Sequence, residues 1–127
     1  MRPIPKKLKD EMESSKFYKY CCFTHGEHPE WHHHLQYRNQ QINARFAILP
    51  VSKELHTEST QAVHKNPAMK ELCTYLCLLR TTPEMLKTYN RRDWEQEFSY
   101  LDKKFKDDKM VEEFREWCKT WREELYR

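Results

Sequence analysis

The amino-acid sequence predicts an α+β fold, mostly helical, in which a short β-hairpin and a helix precede a run of C-terminal helices. Three observations carry this expectation. Residues 31–58 hold two strand-like runs, WHHHL and the apolar FAILPV, flanking a polar stretch and end on a helix start signal. Residues 66–127 carry apolar side chains at helical spacing behind two proline-marked caps. Aromatic residues make up 13% of the chain, enough to build a core although the mean hydropathy is only −1.08. At 127 residues one domain is expected, divided into three regions. Residues 1–20 are a basic lead-in, residues 21–65 contain all seven histidines, and residues 66–127 are helical.

The elements follow in order. Pro3 and Pro5 precede KKLKDEM, which predicts a short helix. Cys21 and Cys22 are expected on a strand. Trp31–Leu35 and Phe46–Val51 read as two strands, with pairing expected to end near Pro50. QYRNQQINAR between them is polar and loop-like, and Ser52 is a good N-cap for the helix that begins KELH. Asn66–Pro67 opens a helix bearing Leu72, Leu76 and Leu79, and Thr82–Pro83 opens another at EMLKTY. Trp94, Phe98, Leu101 and Phe105 form an apolar stripe. DDK at 107–109 interrupts it before Val111, Phe114, Cys118, Trp121 and Leu125 resume. This is a helical hairpin or one kinked helix, and its stripe needs a partner surface in the domain itself or in a homodimer.

Composition excludes several classes. Gly26 is the single glycine, so glycine-rich phosphate loops, dinucleotide fingerprints and the Gly-x-Ser-x-Gly elbow are ruled out. No apolar run approaches the roughly 18 residues of a membrane span, and MRPIPKKLKDEMESSK has no signal-peptide core. Five cysteines, an odd number, point to free thiols in a reducing, intracellular setting. The net charge is +3, compatible with nucleic acid. Residues 91–127 hold ten basic and eleven acidic side chains, so the basic excess lies before them.

The histidine distribution is the most informative feature. Three consecutive histidines, His32 to His34, lie on an expected strand, and His56 lies on the first turn of an expected helix. Adjacent strand residues face opposite ways. One imidazole can therefore ligate a metal with a helix histidine while its neighbour does something else, and neutral imidazole suits Zn, Ni, Mn or Fe. A second imidazole titrates near neutrality and suits a general base.

The segment EWHHHLQYRNQQINARFAILPVSKELH resembles the HNH, or ββα-metal, family of endonucleases, in particular small phage-type members. The resemblance spans residues 21–65 and is one of pattern. The family's usual Asn-Leu-x-Pro-Leu-Cys-x-x-Cys-His half lies without a gap over Ala47 to His56. It implies a ββα-metal core and hydrolysis of DNA, duplex or branched, assisted by a divalent ion such as Mg²⁺, Mn²⁺, Ni²⁺ or Zn²⁺. His32 and His56 then serve as metal ligands and His33 as general base, with products carrying 5′ phosphates. The alternative register uses His33 and His34. His64 completes the site if TESTQAV breaks the helix, since eight continuous residues would carry it about 12 Å away; Glu58 is the other option. Ala47 stands where the family has the asparagine that orients the general base, so the amide must come from Asn43, or else from Asn39 or Gln40. Ser52 and Leu55 replace two cysteines that often hold a structural zinc, so no such zinc is expected. Lys6, Lys7, Lys9, Arg38 and Arg45 are the candidates for holding the phosphate backbone. The resemblance also implies a phage or prophage protein working in the bacterial cytoplasm. A catalytically degenerate DNA-binding or assembly module on the same scaffold is the competing reading.

The remaining candidates have plainer readings. His25 and His28 are expected to be surface or hydrogen-bonded histidines, Cys73 and Cys77 core residues, and the Trp/Phe stripe of the tail packing. A degenerate zinc site joining Cys21 and Cys22 to His25 or His28 is the alternative for that region.

Overall fold

A computed structural model describes residues 3–37, 40–58, 65–89 and 94–127. They form a small α+β structure in which a two-stranded antiparallel pair sits among helices. Helix α1 (Lys6–Glu13) leads into a 3₁₀ turn at Lys16–Lys19. Strand β1 (Glu30–His33) is followed by a minimal hairpin, β2 (Gln36–Tyr37) and β3 (Gln40–Gln41), within the stretch read as loop. Strand β4 (Ile48–Val51) then pairs antiparallel with β1, aligning Glu30 with Val51, Trp31 with Pro50, His32 with Leu49 and His33 with Ile48.

Two expectations about these strands need correction. Arg45–Ala47 forms a 3₁₀ turn, so Phe46 is not in the strand. Pairing also does not stop at Pro50, which is aligned with Trp31 inside β4. The Pro50 carbonyl accepts from the Cys22 backbone N–H at 2.9 Å, so it points away from β1. In an antiparallel strand the N–H of a residue points the same way as its carbonyl, so the missing proline donor costs no bond of the β1–β4 ladder. Cys21 and Cys22 are not on a strand either. Cys21 N–H donates to the Gly26 carbonyl and the Cys21 carbonyl accepts from His25, which closes a turn from Cys21 to Gly26.

After β4 the chain enters a wide π-helical turn, Glu54–Glu58. Ser52 caps its start as expected, its Oγ accepting from the Leu55 N–H at 3.2 Å. Helix α2 (Pro67–Leu79) opens on Asn66, whose Oδ1 accepts from Ala68 and Met69. Helix α3 (Pro83–Lys87) opens on Thr82. Helices α4 (Trp94–Phe105) and α5 (Lys109–Thr120) are separate, because Asp108 caps α5 through a bond from the Met110 N–H at 2.8 Å. Two separate helices, not one kinked helix, therefore account for the interrupted stripe.

One hydrophobic core runs through all three regions of the chain, from Met12 and Phe17 through Leu49 and Leu76 to Phe114 and Cys118. Helix α2 lies at its centre, with Leu72, Cys73, Tyr75, Leu76, Cys77, Leu78 and Leu79 all buried. Cys73 and Cys77 pack as expected, and burial keeps both thiols protonated, Cys77 pushed up to about 12. The tail stripe finds its partner here, since Leu101, Phe105, Val111 and Phe114 are buried in this core. Among the described residues no helix is long and apolar enough to cross a membrane.

Candidate active site

Strand alternation separates two groups on β1. Glu30 and His32 are two residues apart and share one face. The π-helical turn carries His56 to that face. Its ring centre lies 3.9 Å from that of His32, and its Nδ1 is 2.9 Å from Glu30 Oε1. A carboxylate accepts only, so Nδ1 carries a proton, and in the neutral ring the lone pair is on Nε2. His34 stands edge-on to His32, with ring centres 4.9 Å apart, and its backbone N–H donates to the Ala47 carbonyl at 2.8 Å.

His33 points elsewhere and is only 3% exposed. Its Nε2 lies 2.9 Å from Asn43 Oδ1. The amide oxygen accepts, so Nε2–H donates and Nδ1 carries the lone pair. Burial lowers the His33 pKa below the usual histidine value; the Asn43 bond pulls it back only in part. Burial thus favours the neutral form of the His33 imidazole. Ala47, the position where an orienting amide was absent, is wholly buried against the strand. Asn43 supplies the amide from the loop four residues earlier.

Imidazole nitrogen is a donor type that divalent cations accept. His32 and His56 are imidazoles brought together from opposing elements, and Glu30 fixes the tautomer of His56 as carboxylates behind metal-bound histidines do. Among the described residues no group of three His, Cys, Asp or Glu converges on a single point. His64, the expected further ligand, lies outside the described residues, as do Arg38 and Asn39. Glu30 was the residue missed by motif spacing. Its signal was the period of two that puts it on the His32 face.

The basic candidates separate. Lys7 is exposed, and Lys6 is an exposed partner of Asp10 at 2.9 Å one helical turn on. Arg45 does not reach out as expected. Its guanidinium is turned inward to Glu123 and Ser15, with Glu11 3.8 Å away. Glu123 also accepts from Arg80, which donates to the Ile48 carbonyl and to the Tyr18 hydroxyl. Arg45 thus closes a part-buried charge network with Glu123, Ser15 and Glu11.

Among the described residues the other histidines and cysteines build no second centre. His25 stacks flat on Trp117, ring centres 3.6 Å apart, and both His25 and His28 adopt positive φ. Burial alone would raise the Cys21 thiol. Hydrogen bonds from the Thr24 side chain and from the backbone of Thr24, Phe23 and Ser52 outweigh it and lower the pKa. No family model, curated protein or solved structure matches this chain.

Proposed function

We propose that the chain is a metal-dependent endonuclease of the HNH type, built on a ββα-metal core and hydrolysing DNA phosphodiester bonds. One observation carries the reading: neighbouring residues of one short strand have different partners, His33 an orienting amide at 2.9 Å and His32 a helix histidine whose ring centre is 3.9 Å away. Packing alone gives no reason to bury two adjacent histidines with separate polar arrangements.

In this reading Asn43 holds the His33 ring by Nε2–H, and Nδ1 takes the proton of a water that attacks phosphorus in line. The new P–O bond forms as the bond to the 3′ oxygen breaks, leaving a 5′ phosphate. His32 and His56 would hold the divalent cation, with Glu30 keeping Nε2 of His56 as the donor nitrogen. A cation there supplies Lewis-acid stabilisation of charge on the phosphate and the departing oxygen. Two protein ligands leave room for substrate oxygens, as a catalytic centre requires. The reading carries with it a phage or prophage origin and work on DNA in the bacterial cytoplasm.

The test is plasmid nicking with Mg²⁺, Mn²⁺, Ni²⁺ or Zn²⁺, with and without the substitution His33→Ala. Nicking that needs a metal and falls at least 10²-fold in His33→Ala is the expected result. Absence of cleavage of plasmid and of a forked duplex with every metal, alongside a salt-dependent gel shift of DNA, overturns the enzyme in favour of a DNA-binding module.

A further inference from the structure

We propose that a groove beside the candidate active site binds an unpaired strand of DNA, so that the substrate is a single-stranded or splayed segment and not continuous duplex. The inference rests on the endonuclease reading. It concerns a groove of about 640 Å³, a size at which pockets accommodate small ligands, between α1, the turn before β4 and the end of α3.

Four features of its lining point to a nucleic-acid strand. Asn43 belongs both to the groove and to the candidate site, where its Oδ1 holds His33, so a strand in the groove passes within one residue of the general base. Lys7 stands exposed on one side, and among the described residues it has no carboxylate partner. Tyr89 stands 48% exposed on the other. Its ring meets Phe46 edge to face at 5.5 Å and 73°, so the ring is held in place without its faces being covered by that neighbour. Glu11, the acid in the lining, lies 3.8 Å from the Arg45 guanidinium, which offsets its charge.

An aromatic face beside a cation is what a single strand uses. Stacking takes any base but needs one that is unpaired, while a lysine follows the phosphates. In continuous duplex the base faces are covered by their neighbours, and a ring in a groove has nothing to stack on. The placement of Tyr89 therefore discriminates by strand pairing and not by sequence.

The experiment is fluorescence anisotropy of the full chain in EDTA, so that no cleavage occurs. Labelled single strand, blunt duplex and a fork with unpaired arms are compared at several salt concentrations. Single strand and fork are expected to bind more tightly than blunt duplex. Tyr89→Ala should weaken both by about 5- to 150-fold and leave the blunt duplex unchanged, while Tyr89→Phe restores binding. Lys7→Ala should weaken the single strand and flatten its salt dependence by about 0.7 in log–log slope. Blunt duplex binding as tightly as the fork, or a Tyr89→Ala variant with native circular dichroism and no loss on the fork, overturns the proposal. Cleavage of the fork with Mg²⁺, Mn²⁺, Ni²⁺ or Zn²⁺ separates the two claims. Fork cleavage that depends on His33 with a silent Tyr89→Ala removes the groove alone; no cleavage of the fork with a strong Tyr89→Ala effect on binding removes the endonuclease alone.

Discussion

Asn43 shows how one side chain sets the chemistry of another. A neutral imidazole has two tautomers, and only one puts a lone pair where a water can be deprotonated. The 2.9 Å bond to Asn43 Oδ1 selects the tautomer with the proton on Nε2. Glu30 does the same for His56 with the nitrogens exchanged, placing the proton on Nδ1. In the proposed mechanism the two rings have opposite tasks, each matched to the acceptor its ring meets. Asn43→Ala removes the selection without touching His32, His56 or Glu30. The expected outcome is a fall in kcat of about 10²-fold, the low end of what a positioned base contributes, with metal affinity unchanged. Asn43→Asp keeps an acceptor in reach and should recover much of the loss. Single-turnover cleavage together with calorimetric metal titration checks both. A metal affinity that falls in parallel with kcat would mean Asn43 holds the whole hairpin and not one ring.

At the scale of elements, what the sequence made legible was local. Ser52, Asn66 and Thr82 announce helix starts because a cap depends on three or four consecutive residues, and each accepts the backbone N–H its type is suited for. The break before α5 was ambiguous only because DDK can interrupt a stripe in two ways; Asp108 as a cap resolves it. The pairing of β1 with β4 was legible from two strand-like runs either side of a polar stretch, but its length was not, since whether Pro50 ends a strand depends on which side its carbonyl faces. His32, His33 and His56 were legible as a constellation through their spacing. The role of Arg45 was not, because its partner Glu123 lies 78 residues away and no local pattern connects them. Arg80 belongs to the same network. It is 3% exposed, holds the Ile48 carbonyl of β4 at 3.1 Å, and binds Glu123 at 3.0 Å. It ties the strand opposite His33 to the segment after α5. Arg80→Met should cost about 3 kcal/mol, the low end for breaking a buried pair, because Arg45 still neutralises Glu123. Urea denaturation measures this. A loss under about 1 kcal/mol would show that Arg45 and the Tyr18 hydroxyl hold the strand without Arg80.

For the whole molecule, the single core that unites the three regions fixes how stability responds to alkali. All five cysteines are buried thiols. Burial raises Cys22 and Cys73 well above the ordinary thiol value and pushes Cys77 and Cys118 up to about 12. Between about pH 9 and pH 12 the unfolded chain has released these protons while the folded chain keeps them. The folded state then binds more protons, so stability is fully present below the unfolded thiol pKa and falls as pH rises. Cys21 works in the opposite direction, its pKa being lowered, but it is one thiol against four. Tyr18 and Tyr75, both raised by burial first, add to the alkaline loss. Each strongly raised thiol should remove about 2 kcal/mol between about pH 8 and about pH 10.5. Urea midpoints measured at both pH values under reducing conditions should therefore drop sharply for the wild-type chain. Cys118→Ala lowers stability at pH 8 through its lost packing but should narrow the gap between the two pH values by about 2 kcal/mol. A gap identical to wild type would mean that the Cys118 thiolate forms inside the folded core, and that the core around α2 and α5 admits water which the close packing of Cys118 with Val111 and Phe114 otherwise shuts out.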